Sequence, residues 1–239
     1  VKRFDASLSL KGLASGESRK TTIILLWAPL AIVTWRYFGS PRFFLDHLAA
    51  LRPWGRVTQA AELYTYGVSF LLCGLVSLLI IRLLLREPLA QYGLALGDWR
   101  FGLKALLVLA PVMIVLAALA SRNPDFLAQY PFDRGACGSL QAFLVHAAGY
   151  FAYYVGFETF FRGLVQFGLR DSLGDWHAIL VQTALSCLVH IDKPAPEIYA
   201  AIVAGLLFGV VAFRSRSLIC ILVSHFVLGI SLDLFICLG

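Results

Sequence analysis

Charged side chains are scarce in this chain. Asp, Glu, Lys and Arg make up 14% of its 239 residues, where a soluble domain carries about 25%. That shortage excludes an ordinary soluble core. Cysteine is sparse too, and no Cys-x-x-Cys occurs. The five cysteines (Cys73, Cys137, Cys187, Cys220, Cys237) are scattered, and the expectation is small buried thiols rather than disulfides or metal ligands. No internal repeat or low-complexity stretch stands out. The first twenty residues are polar and basic (Lys2, Arg3, Lys11, Arg19, Lys20) rather than patterned as a signal peptide. The net charge of +6 is not a nucleic-acid footprint, because the basic residues fall between apolar runs, where they act as topological anchors.

Apolar residues are abundant. The chain is 59% hydrophobic with a mean hydropathy of +0.79. A helix of roughly 20 apolar residues crosses a hydrocarbon core of about 30 Å. Runs of that kind read as spans over Thr22–Phe38, Ala60–Leu85, Leu103–Ala120, a fourth from Ser139 through Glu158, a short fifth over Trp176–Ile191, then Ile198–Phe213 and Leu218–Leu238. The fold class is therefore all-α: a polytopic membrane bundle of about seven helices forming one domain over 1–239, with 1–20 as a polar basic tail. The fourth span keeps its helical pattern through Arg162 towards Arg170, and Ser172-Leu173-Gly174-Asp175 breaks it. The Lys/Arg bias favours an N-terminus on the inner side. Simple alternation then puts Glu158 near the inner end of its span and His190 at the outer end of the next. If the two meet, a helix is tilted, broken or displaced from these boundaries.

The polar residues inside these runs carry the chemistry. Glu158 and Arg162 lie four apart in Gly156-Phe157-Glu158-Thr159-Phe160-Phe161-Arg162-Gly163 and share a helix face. Ionisable groups at membrane depth are costly and usually pair towards a bundle interior or cavity. His190 and His225 lie in two later spans. An ion pair that only fixes packing, a helix-end histidine that meets interfacial water and a histidine bonded across the bundle are the bland alternatives. One Glu, one Arg and two His on three spans read instead as an active site: a carboxylate that takes a proton from water, oriented by Arg, with imidazoles to bind an oxyanion, share a proton or ligate a metal. His146 reads as structural, and His47 and His177 as solvated. Arg36 and Arg82 read as snorkelling, Glu197 as capping a helix N-terminus, and Asp233 as a partner for a cation in the bundle.

The order Glu-x-x-x-Arg, then a His ending the next span, then a His in the last span, resembles the CAAX-protease and bacteriocin-processing (CPBP, or Abi) family of intramembrane proteases. The resemblance runs over 86–238 and includes Glu87-Pro88-Leu89, Tyr92-Gly93-Leu94, Glu158…Arg162-Gly163, His190…Lys193-Pro194…Glu197 and His225. The family pattern commonly reads Glu-Glu-x-x-x-Arg, Phe-x-x-x-His and His-x-x-x-Asn. Here Phe157, Ser186 and Gly229 stand where the first Glu, the Phe and the Asn would be, as in a single-Glu bacterial branch. The resemblance implies a multi-pass protein of the bacterial plasma (inner) membrane. It implies an endopeptidase that cleaves a membrane-tethered peptide or protein, with Glu158, Arg162, His190 and His225 as its catalytic residues. A metal-free glutamate mechanism is preferred, and zinc held by the two His and Glu158 is the variant. A catalytically inactive relative acting as an immunity or scaffold protein is the alternative from another class.

Overall fold

The computed structural model describes residues 16–51 and 55–239; the basic tail before residue 16 lies outside them. Among the described residues there is no strand. Seven long helices make the bundle: α1 (Gly16–Phe38), α2 (Val57–Leu85), α3 (Trp99–Ala120), α4 (Leu140–Glu158, continuing as π-helix over Thr159–Phe167), α5 (Gly168–Leu188), α6 (Ala195–Ser215) and α7 (Ile219–Leu238). Five of them (α1 from Arg19, α2, α3, α6, α7) are long and apolar enough to cross a membrane. The all-α membrane bundle is as expected. The two remaining long helices, α4 and α5, carry Glu158 and lead into His190.

Side chains that satisfy orphan N–H groups fix the helix starts. The Asp98 carboxylate accepts from the Phe101 amide at 3.1 Å, opening α3 four residues before the apolar run. Ser139 accepts from Ala142 at 3.1 Å and opens α4. Outward faces stay apolar, with Leu26, Leu107 and Val203 all about two-thirds exposed, which suits lipid rather than water. The main core lies where α1, α4, α5, α6 and α7 converge, around Phe160, Phe161, Leu164, Phe208 and Ile221, all fully buried.

Two glycines shape α4 and α5. Gly156 faces α2 at backbone contact: a Cβ there would lie 2.7 Å from the Ser69 carbonyl oxygen and 2.9 Å from Phe70 Cα. Only a residue without a side chain allows that approach. Gly174 takes φ 75°, ψ 166°, a conformation open to glycine, and breaks the helix within the Ser172–Asp175 stretch read as a breaker. Because the helix runs on from Glu158 to this break, Glu158 lies within the helix rather than at its inner end. That continuation removes the conflict between Glu158 and His190 that simple alternation created.

The cysteine expectation needs a correction. Cys137, in a 3₁₀ turn before α4, and Cys237, at the end of α7, form a disulfide. Their sequence separation of 100 residues leaves no local signal for the pairing. Cys73 and Cys220 are free and buried, and Cys187 is free and half-buried.

Candidate active site

Glu158 ends the regular part of α4, and the π-helical segment that follows places Arg162 beside it. Such bulges occur often at functional sites. Arg162 donates from Nη1 to Glu158 Oε1 at 3.2 Å, with both side chains almost fully buried. The guanidinium also sits over the rings of Phe157 and Phe208, 5.5 and 5.8 Å from their centroids. His225, from the middle of α7, meets the same carboxylate oxygen through Nδ1 at 2.6 Å. Thus Oε1 is shared by a cation and an imidazole. Among the described residues, Glu158 Oε2 and Arg162 Nε have no hydrogen-bond partner. Buried polar atoms are rarely left so, and each needs an explanation.

His190 follows α5. Its Nδ1 bonds the Ser186 carbonyl at 2.7 Å, and its ring packs edge-on to Phe157 with centroids 6.2 Å apart. His190 therefore joins the site through Phe157 and makes no hydrogen bond with Glu158. Phe157 stands between the two histidines, its ring also 5.3 Å from that of His225. Position 186, a serine rather than the larger phenylalanine of the family pattern, supplies its backbone carbonyl to His190. At position 229 a Cβ would fall 2.3 Å from the Tyr154 hydroxyl oxygen. The space a longer side chain would need is held by Tyr154, whose ring lies 4.4 Å from that of His225.

Two cavities flank these residues. The larger, about 910 Å³, is lined by Phe157, Arg162, His190 and His225 and by Trp35, Tyr66, Tyr150, Tyr153 and Tyr154. A smaller one, about 300 Å³, touches Glu158 and Thr159 together with Gly93–Leu96, Leu218, Ile219 and Leu222. Glu158 thus contributes to the lining of the smaller space, while the two partners of its carboxylate, Arg162 and His225, border the larger one.

Sequence reasoning missed a second polar cluster. His146 bonds Glu62 Oε2 through Nδ1 and Asp233 Oδ2 through Nε2, each at 2.9 Å, and all three side chains are almost fully buried. Glu62 gave no motif to notice. Asp233, read as a partner for a cation, is bonded in the bundle to the His146 imidazole. One signal was available: 146, 150, 154 and 158 recur at intervals of four on α4, and Tyr150 and Tyr154, whose hydroxyls are 3.0 Å apart, fill the turns between His146 and Glu158. The other polar residues have local roles. Glu197 opens α6 and accepts from the Tyr130 phenol at 2.8 Å. Arg36 pairs with Asp192, Arg82 donates to the Glu87 carbonyl, and His177 bonds the Leu173 carbonyl. His47 stacks on Phe43.

Among the described residues, no group of three His, Cys, Asp or Glu side chains is placed to hold a metal ion. Glu158, His190 and His225, the set considered for zinc, do not form such a group.

Residues 139–230 match the family described as type II CAAX prenyl endopeptidase Rce1-like. The likeness to CAAX proteases suggested by the motifs is borne out over that stretch, which contains Glu158, Arg162, His190 and His225. No curated protein and no solved structure matches the chain.

Proposed function

We propose that this protein is an intramembrane endopeptidase acting on a membrane-tethered peptide or protein, with Glu158 as its general base. The observation that carries the reading is the carboxylate itself. Oε1 is held by Arg162 and His225, while Oε2 has no partner among the described residues. One oxygen is thereby fixed and the other left to take a proton. In this mechanism Glu158 removes a proton from water as the water oxygen attacks the scissile carbonyl carbon. The tetrahedral oxyanion is stabilised by donors in a dry, preorganised site. Collapse breaks the C–N bond, and the proton on Glu158 passes to the leaving amine. Arg162 orients Glu158, and His190 and His225 hold the water or the oxyanion. The chemistry runs through Glu158 without a metal, in a multi-pass protein of the bacterial plasma membrane.

An inactive relative serving as an immunity or scaffold protein remains the second reading, favoured by Phe157 and Gly229 at two motif positions. Glu158→Gln separates the two. Gln keeps the size and most hydrogen bonding but takes up no proton from water. The variant should accumulate in the membrane like the parent and lose processing of a tagged candidate substrate in cells. Undiminished processing by a stably expressed Glu158→Gln protein refutes the glutamate mechanism.

A further inference from the structure

Contacts between distant segments tell the two ends of the bundle apart. At one end Lys20 pairs with Glu87 at 3.0 Å, the Asp98 amide donates to the Ser215 carbonyl at 2.6 Å, and the Leu218 amide donates to Gly93 at 2.9 Å. At the other end Arg56 pairs with Asp133 at 2.7 Å, Lys193 donates to the Tyr130 hydroxyl at 2.8 Å, and Cys137 is bonded to Cys237.

The disulfide assigns a compartment to its end. Such bonds persist in oxidising surroundings and are rare in the reducing cytosol. An independent signal agrees. Among the described residues the end opposite the disulfide carries nine Lys and Arg, including Arg86, Arg100, Lys104, Arg170 and Arg214, against six at the disulfide end (Arg36, Arg42, Arg56, Arg122, Arg134 and Lys193), and cytosolic loops are the ones enriched in Lys and Arg.

The larger cavity belongs to the disulfide end. Its lining includes Pro41, Asn123, Gln129, Asp192 and Lys193, all from the connections at that end. It descends from there to Phe157, Arg162 and His225. We propose that this cavity opens to the non-cytosolic side, and that the substrate is a membrane-tethered polypeptide engaged and cut from that side. The word "cut" rests on the endopeptidase reading above; the sidedness does not. The aromatic walls around Trp35, Tyr66, Tyr150 and Tyr153 suit apolar peptide side chains. The rival entrance is the smaller cavity, which lies by Gly93–Leu96 and Leu218 at the cytosolic end and counts Glu158 and Thr159 among its lining residues.

Cysteine labelling sets the two entrances against each other. In a full-length background with Cys73, Cys187 and Cys220 replaced by alanine and the disulfide kept, single cysteines are introduced as Gln129→Cys, Ala204→Cys and Leu96→Cys. Gln129 and Ala204 line the larger cavity, and Leu96 lines the smaller. A membrane-impermeant sulfonated maleimide is applied to intact and to lysed cells. Gln129→Cys and Ala204→Cys should label in intact cells, and Leu96→Cys only after lysis. The opposite pattern overturns the proposal. So does finding Cys137 and Cys237 as free thiols in the membrane-embedded parent, read by a maleimide-polymer mass shift before and after reduction. Glu158→Gln in the same background keeps the readings distinct. Lost processing with unchanged labelling supports both. Retained processing with unchanged labelling removes the endopeptidase mechanism and leaves the sidedness standing.

Discussion

Adding one methyl group at position 156 should damage both the fold and the site. A Cβ there meets backbone, 2.7 Å from the Ser69 oxygen and 2.9 Å from Phe70 Cα, so no side chain can swing aside. Restoring ordinary carbon contacts of about 3.5–4.0 Å requires α2 and α4 to part by roughly 0.5–1 Å. Overpacking of this kind costs about 1–3 kcal/mol, and alanine's better helix propensity returns up to about 1 kcal/mol. Glu158 is half a turn further on and is held to His225 by a 2.6 Å hydrogen bond. A misplacement of about 1 Å can cost on the order of 100-fold in rate. Gly156→Ala should therefore melt at lower temperature in detergent and process substrate about 10- to 100-fold more slowly. Gly67→Ala is the internal control. It sits in the same helix as Ser69, and a Cβ there meets nothing within 4 Å, so it should be neutral or stabilising by about 0.5–1 kcal/mol. If the two variants have the same melting temperature and parental processing, the close crossing of α2 and α4 does not hold the site.

Three further outcomes follow from particular contacts. Arg162→Lys replaces a planar fork by a point charge beneath a buried carboxylate, and processing should fall by about 10- to 100-fold, the equivalent of one charge-assisted hydrogen bond, as read in the same cell assay. His146→Phe leaves the Glu62 and Asp233 carboxylates buried without the ring that joins them, which should cost about 3–5 kcal/mol in detergent unfolding; parental stability would show that the cluster is not a structural tie. Burial pushes the Asp133 carboxyl up, but hydrogen bonds from Arg56, Thr58 and the Gly135 amide outweigh that and hold its pKa below the ordinary aspartate value. A depressed carboxyl adds stability above its unfolded pKa and loses it as pH falls through the folded one. Melting temperature should therefore drop on acidification below about pH 4, and Asp133→Asn should flatten that part of the profile.

Local periodicity made part of the site legible. Glu158 and Arg162 announce themselves because four residues make one helical turn, and His225 because it interrupts a long apolar run. The seven helices were legible for the same reason, and Ser172–Asp175 marked the break at Gly174. Tertiary facts were not. Glu62 reaches His146 across 84 residues, and no spacing rule links them. Cys137 and Cys237 are 100 apart. The place of His190 beside Phe157 depends on where α5 ends, and helix boundaries are weakly encoded. The helix beyond Glu158 was legible in the pattern that runs through Arg162 towards Arg170, but its π-helical winding over Thr159–Phe167 has no composition of its own.

The two imidazoles also fix a proton inventory. His225 Nδ1 faces a carboxylate oxygen and His190 Nδ1 faces a backbone carbonyl, and neither acceptor has a hydrogen to give while Glu158 is ionised. Each ring, when neutral, must then carry its hydrogen on Nδ1 and leave Nε2 as a lone pair. A neutral ring held in this way is an acceptor at Nε2, suited to the hydrogens of a water molecule. Either becomes an oxyanion donor there only after taking up a proton. Under the glutamate mechanism proposed above, Glu158 takes one hydrogen of the water while a neutral Nε2 accepts the other, so the tautomer fixed at Nδ1 would orient the attacking oxygen.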